Sequence, residues 1–522
     1  MNQAHLKKIR VVISLVFFLS LTFLFIDFRK QLPEGVYDTF TYLQFIPSFL
    51  NFISVLSISV VGFAVIIVLT TLFGRVYCST ICPLGTLMDI FSWFKKRIIK
   101  KTRFRYSNPV NYLRYSLLAI TVVFYLFGSV FFLNLLDPFS IFGRIVSDFI
   151  QPGYIGLNNV GARLLEKANI YFLFPEDISY SQVWTYFIPG AFLILILWLS
   201  LANGRIYCNT VCPVGTLLGL ISRKSSFQIK ILEEQCTKCG KCMFACKSSC
   251  IRVKDLKVDF SRCVGCFNCI SVCDDDAIKY VSYSKKQLSV STIDSDRRKA
   301  LATVGAMMLG LFGFRESLSA QEVVIENKFP TEIEPVKHFT VTPPGSLGLK
   351  HFTDTCTACH LCVSACPTKV LQPSFLEYGL AGMMQPYMDY KTNYCNFECV
   401  ICSEVCPTGA IMSLTAGNKK TTQIGNVYFI TENCVVYTDN TSCGSCSEHC
   451  PTQAVRMVPY YGELTIPEIR PELCVGCGAC EHACPTKPFK AIFVDGHELH
   501  RVAQLPEEEA LEQPDVEEDF PF

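Results

Sequence analysis

CTKCGKCMFAC at 236–246 and CVGCFNCISVC at 263–273 decide the class of this protein. Each has the spacing C-x2-C-x2-C-x3-C, which brings four thiolates around a cubane of iron and sulfide. Two such runs close together predict a bacterial two-cluster ferredoxin, an α+β domain in which the fourth cysteine of each run crosses to the other cluster. Cys236, Cys239, Cys242 and Cys273 are expected on one [4Fe-4S] cluster, with Cys263, Cys266, Cys269 and Cys246 on the other. Lys247 and Asp274 stand where a proline usually follows the fourth cysteine, and Cys250 is left over as a buried structural thiol.

Four more runs follow a lead-in at 321–350 that carries Pro343-Pro344-Gly345. The first is Cys356, Cys359, Cys362 and Cys366; the second is Cys395, Cys399, Cys402 and Cys406. The third is Cys434, Cys443, Cys446 and Cys450; the fourth is Cys474, Cys477, Cys480 and Cys484. Pro367, Pro407, Pro451 and Pro485 close the runs, each ending a local helix. The first gaps of the second and third runs are lengthened, as loops between ligands that shape a docking face. Sixteen cysteines match four cubanes, so the chain is expected to carry six [4Fe-4S] clusters, about 24 iron and 24 sulfide. The competing use is disulfides, eight across the runs or one joining Cys434 to Cys443. Disulfide scaffolds are small and do not repeat this spacing.

The N-terminal half has a different character. Mean hydropathy over the chain is +0.32, and 41 of its 522 residues are Phe. Apolar runs at about 11–26, 52–73, 114–135 and 184–202 approach the roughly 20 residues of a membrane span; buried core helices are the alternative. Basic residues at Lys7, Lys8 and Arg10, at 95–105, and at Arg205, Arg223 and Lys224 place both ends of this unit in the cytoplasm. GRVYCSTICPLGTL (74–87) and GRIYCNTVCPVGTL (204–217) make it a two-span repeat, each copy ending in C-x3-CP. Cys78, Cys82, Cys208 and Cys212 are candidate ligands of a further iron–sulfur site, with Arg75 and Arg205 expected to lower the thiol pKa values. Redox-active or inert thiols at a helix end are the alternative. No histidine lies between His5 and His338, which excludes bis-histidine haem there. The net charge of +2 gives no nucleic-acid signature.

Between the halves, DSDRRKALATVGAMMLGLFGF at 294–314 has the layout of a twin-arginine export signal, with Arg297 and Arg298 before an apolar stretch. Asp296 and Ala300-Leu301 depart from the usual string, and a short buried helix is the other reading. Export of a folded domain suits iron–sulfur proteins, which take up their clusters before crossing. The predicted architecture is multi-domain: 1–225 an α-helical membrane unit of four spans, 226–290 a cytoplasmic two-cluster ferredoxin, 291–320 a signal or fifth span. Residues 321–505 form a periplasmic four-cluster ferredoxin-like α+β domain, and 506–522 an acidic tail.

Residues 1–280, with two C-x3-CP motifs and a two-cluster ferredoxin, resemble the NapH-type membrane quinol dehydrogenase subunit. Residues 294–500 resemble its NapG-type periplasmic four-cluster ferredoxin, so the chain looks like a fusion of the two. The membrane half is also similar to NosR- and CcoG-type proteins, without the covalent-flavin motif of the NosR type. The resemblance implies quinol oxidation in the membrane and electron delivery to a periplasmic redox partner, in a bacterial inner-membrane protein. It also implies that the first run pairs with the fourth and the second with the third, Cys484 completing the first run's cluster and Cys366 the fourth's. Asp137, Arg144 and Asp148, after the third apolar run, are candidate ionisable groups for a quinol site. Two other functions compete: a polyferredoxin fed by a cytoplasmic donor, and a maturation factor that reduces a metal site in another oxidoreductase.

Overall fold

A computed structural model describes residues 4–27, 32–55, 62–98, 104–176, 183–282 and 333–505. The expected export signal at 294–314 and the acidic tail at 506–522 lie outside the described residues. The chain divides into two compact units. The first holds Met1–Lys328, Lys350–Tyr387 and Ile401–Ser413; the second holds Phe329–Leu349, Met388–Val400 and Leu414–Phe522.

The first unit begins with helices α1 (Ala4–Ile26), α2 (Glu34–Tyr42), α3 (Phe45–Val55), α4 (Gly62–Phe73), α5 (Tyr77–Thr80) and α6 (Pro83–Ile98). There follow α7 (Asn111–Leu126), α8 (Phe131–Leu136), α9 (Pro138–Ile145), a π-helical turn (Val146–Ile150) and α10 (Gln151–Lys167). Finally come α11 (Val183–Asn203), α12 (Ile206–Thr210) and α13 (Pro213–Ser222). Among the described residues, two helices are long and apolar enough to cross a membrane, His5–Ile26 and Thr185–Asn203. The second apolar run is shared between α3 and α4, of 11 and 12 residues. The third is the 16-residue α7, followed after Gly128 at φ +79° by the short α8. At 1.5 Å per residue these are shorter than a bilayer's roughly 30 Å hydrocarbon core.

The two copies of the repeat fold alike. Gly74 and Gly204 end α4 and α11 in the left-handed region, at φ +78° and +74°. There a Cβ would stand 2.8 Å from the Phe260 ring in one copy and 2.5 Å from the Lys247 carbonyl in the other. Glycine is required for conformation and for space. Pro83 and Pro213 then start α6 and α13, where the missing N–H costs nothing. Where α6 crosses α11, Ser92 and Ser200 meet through their hydroxyls at 3.1 Å, the close approach that small residues permit.

The ferredoxin stretch 227–282 pairs β1 (Phe227–Ile231) with β4 (Ile278–Ser282), antiparallel, around the short β2 (Ile251–Arg252) and β3 (Lys257–Val258). In the second unit, the strand Thr422–Phe429 pairs antiparallel with Ile492–Val502, and Val455–Pro459 with Thr465–Ile469.

Candidate iron–sulfur centres

All 29 cysteines are free thiols, so neither the eight disulfides nor a Cys434–Cys443 bridge is formed. In four of the six runs the backbone turns left-handed at two fixed places, two residues after the first cysteine and one after the second. These pairs are Lys238 and Gly240, Gly265 and Phe267, Ala358 and His360, and Gly476 and Gly478. Alternating right- and left-handed residues aim successive N–H groups into one concavity, the nest geometry that holds anionic clusters. The N–H groups of Ala358 and Gly476 point at the sulfurs of Cys356 and Cys474, each at 3.4 Å. Non-glycine residues rarely adopt positive φ, so Lys238, Phe267, Ala358 and His360 are strained positions that the enclosed cluster would justify. The second and third runs, with lengthened gaps, lack this pair. Sequence reading missed this wrap, although glycine at 240, 265, 476 and 478 signals it.

Two cavities show which thiols share a centre. One, with about 300 Å³ of empty space, is lined by Cys246, Cys263, Cys266 and Cys269, with Cys250 beside them. The other, about 290 Å³, is lined by Cys450, Cys474, Cys477 and Cys480. Three thiols of one run plus the fourth of its neighbour is the expected exchange. Burial pushes the Cys474 thiol up to about 11 and that of Cys477 to about 12. Such thiols stay protonated until a metal centre takes them as thiolates. Among the described residues, no three metal-binding side chains close on a point as one ion requires. A cubane instead takes each thiolate on a separate iron, so the donors ring a cavity. These residues fit [4Fe-4S] clusters.

The exchange between the later runs differs from the expected order. Cys356, Cys359 and Cys362 have Cys406 as their close thiol neighbour, not Cys484. Cys484 instead neighbours Cys434 and Cys446, and Cys450, not Cys366, completes the fourth run's cavity. The thiols thus meet between adjacent runs, Cys406 with the first run, Cys484 with the third and Cys450 with the fourth.

Lys419 is a residue that sequence reasoning overlooked. It is buried, and its Nζ is 3.3 Å from the Cys395 sulfur. A fixed cation there favours the reduced, more negative cluster. A hydrogen bond to a charged group is worth about 1.5–3 kcal/mol, which is roughly 60–130 mV for one electron. Lys419→Met is expected to lower one cluster potential by about that much in an EPR-monitored redox titration. Cys250, the leftover thiol, stands 3.5 Å from Cys246. Their hydrogen bond holds the Cys250 pKa up and brings that of Cys246 down to about 7.

The four C-x3-CP cysteines come together, as their mutual electrostatic influence shows. Each copy's arginine reaches across to the other: Arg75 donates to the Cys208 carbonyl at 2.8 Å, and Arg205 to the Cys78 carbonyl. Both guanidiniums are fully buried. Arg205 pulls the Cys82 thiol down and both arginines pull that of Cys208 down, as expected, but burial outweighs them, raising Cys82 and bringing Cys208 to about 11; burial also raises Cys212. Asp89 breaks the symmetry. It pairs with Arg205 at 2.8 Å, with Lys247 at 3.2 Å and with Arg10. Lys247 therefore stands in the usual proline position with a purpose, since its carbonyl also accepts from the Arg205 N–H at 2.9 Å.

The first unit also brings the first run onto the apolar helices. A Cβ at Gly143 of α9 would stand 2.3 Å from the Cys359 carbonyl and 2.7 Å from the Phe25 ring of α1. At the other end of α1, Lys7 donates to Ser271 of the 227–282 domain at 3.2 Å. Among the candidate quinol-site residues, Asp137 caps α9, accepting from the Ser140 N–H and hydroxyl, each at 2.8 Å. Arg144 is spent on the Asn134 carbonyl at 2.7 Å. Asp148 faces His360, its Oδ1 3.5 Å from Nδ1.

Comparison with known proteins agrees with this chemistry. A 4Fe-4S binding domain family matches residues 57–101 and 185–231, the two C-x3-CP segments. Two 4Fe-4S dicluster domain families match 355–411 and 441–487, the same adjacent-run pairing. The methylamine utilization ferredoxin-type protein MauM of Methylophilus methylotrophus is 30% identical over 192 residues, 36% of this chain and 76% of that protein. The chain belongs to the ferredoxin-type 4Fe-4S proteins. The ferredoxin-type protein NapH of Escherichia coli is 24% identical to this family member over 231 residues, 42% of this chain and 67% of that protein. An uncharacterized protein of Methanocaldococcus jannaschii is 27% identical over 234 residues, 43% of this chain and 79% of its own. No solved structure matches. This ferredoxin-type protein is thus an iron–sulfur electron-transfer protein, and among its described residues two helices are long and apolar enough to cross a membrane.

Proposed function

We propose that this protein oxidises a membrane quinol and passes the electrons through [4Fe-4S] clusters to a periplasmic redox partner. The observation that carries the reading is the close approach of Gly143 on α9 to both the Cys359 carbonyl and the Phe25 ring, which puts one cluster site beside the apolar helices. The 227–282 domain meets the opposite end of α1, at Lys7. Eighteen residues of helix separate Lys7 from Phe25, about 27 Å at 1.5 Å per residue, near the thickness of a bilayer core. In this reading the 226–290 domain is cytoplasmic and the later runs periplasmic. The four apolar runs are taken as the spans of a membrane unit. When bound, the cubanes supply one-electron transfer with little reorganisation. The protein buries the four thiols of the first run, aims N–H groups at ligand sulfurs and tunes one cluster with Lys419. The family match over both C-x3-CP segments supports a further cluster at Cys78, Cys82, Cys208 and Cys212.

The test is anaerobic mixing of the purified, cluster-loaded protein with a menaquinol analogue. The reading predicts bleaching of the cluster absorbance by quinol alone. A protein that stays oxidised until a soluble low-potential donor is added contradicts it. That second outcome would favour a relay fed from the cytoplasm, a reading that the exposed Cys239 supports by putting one cluster site at the surface.

A further inference from the structure

A pocket with about 500 Å³ of empty space opens beside the π-helical turn, lined by Ser147, Asp148, Gln151, Tyr186, Val363 and Lys369 among others. Its floor is the first cysteine run, for Val363 follows Cys362 directly and Ser364 binds Ser147 at 2.8 Å and Gln151 at 3.0 Å. Tyr186, near the start of the apolar helix Thr185–Asn203, also lines it. Phe149 and Ile150, next to Asp148, are exposed apolar side chains on the outside. The pocket thus borders apolar surface, where a lipid-dissolved molecule would approach it.

Asp148 is the unusual group. Its side chain is 10% exposed, yet its Oδ2 has no hydrogen-bond partner, and neither has the Nδ1 of His360. His360 is held from its far side, Nε2 lying 2.9 Å from the Met384 carbonyl. A buried carboxylate oxygen left unpaired costs stability, and such exceptions call for a ligand or a functional reason. The π turn that carries Asp148 is a rare element, found frequently at functional sites.

We infer that this pocket binds the quinol headgroup, one hydroxyl donating to Asp148 and the ring edge lying against the first cysteine run. The inference rests on the quinol reading above and adds its site. Oxidation breaks both O–H bonds of the quinol to give the quinone, two protons and two electrons. Asp148 takes one proton and water at the pocket mouth the other. The electrons would leave one at a time to the oxidant, the [4Fe-4S] cluster that Cys356, Cys359, Cys362 and Cys406 would hold, a one-electron acceptor that would be reoxidised between the two transfers.

The experiment uses the cluster-loaded protein in lipid nanodiscs with a photoreactive azidoquinone, the attachment site being mapped by mass spectrometry. Labelling is expected on peptides spanning 147–155 and 363–373, in competition with a hydroxyquinoline N-oxide. Asp148→Asn, isosteric and unable to take the proton, is expected to slow quinol-driven cluster reduction by about 100-fold or more. Reduction by dithionite should be unchanged. Label elsewhere in a protein that quinol still reduces, or an undiminished rate in Asp148→Asn, overturns the site and leaves the quinol reading standing. Neither label nor reduction by quinol in the unaltered protein overturns both. Should Asp148→Asn lose its iron, the label map of the unaltered protein decides.

Discussion

Asp89→Ala is expected to destabilise the protein by about 3–5 kcal/mol, the usual cost of removing one partner from a buried ionic network. The substitution would leave Arg205, wholly buried, and Lys247 without their shared counter-charge. Arg10 would lose its carboxylate inside the first apolar helix. The effect should reach beyond stability, because Lys247 is adjacent to Cys246 and Arg205 donates to the Cys78 carbonyl. Thermal unfolding in detergent would show a lower midpoint, and iron analysis a protein that loses iron more readily. Asp89→Asn keeps the shape and removes only the charge, so it should lose most of the same stability. An unaltered midpoint in both variants would mean that the three cations do not need Asp89.

Cys450→Ser is expected to free the thiols of a different run from its own. The cavity lined by Cys450 belongs with Cys474, Cys477 and Cys480. Loss of that cluster removes about four iron per chain and leaves those three cysteines open to alkylation under anaerobic conditions. Cys434, Cys443 and Cys446 should stay protected, since Cys484 completes their set. Cys484→Ser is expected to do the reverse. Protection of the fourth run in Cys450→Ser, with modification of the third, would return each run to its own cluster.

Much of the chemistry was legible in the sequence because ligand spacing is local. C-x2-C-x2-C fixes three thiols around one point whatever surrounds them, so the runs could be read one by one. Which run lends its fourth cysteine to which is a matter of tertiary pairing, and there the expected first-with-fourth exchange failed. Arg75 and Arg205 illustrate a different limit. Their proximity to the C-x3-CP thiols followed from the repeat, but the sign of the pKa shift depended on burial, which a motif does not report. Asp89, Lys419 and His360 were invisible for the same reason: each acts on a partner distant in sequence. Apolar length alone also overstated helix length, because Gly128 and the division between α3 and α4 interrupt runs that composition leaves continuous.

The central claim is that one chain carries clusters on both faces of a bilayer, with the later runs outside. Sealed right-side-out vesicles, with the clusters chemically reduced, can be read by EPR relaxation after a membrane-impermeant dysprosium chelate is added outside. The account predicts faster relaxation for roughly two-thirds of the cubane signal, the four-cluster share, with the remainder reached only when the chelate is sealed inside. Signals that respond solely to internal chelate would place every cluster on the cytoplasmic face and contradict the account.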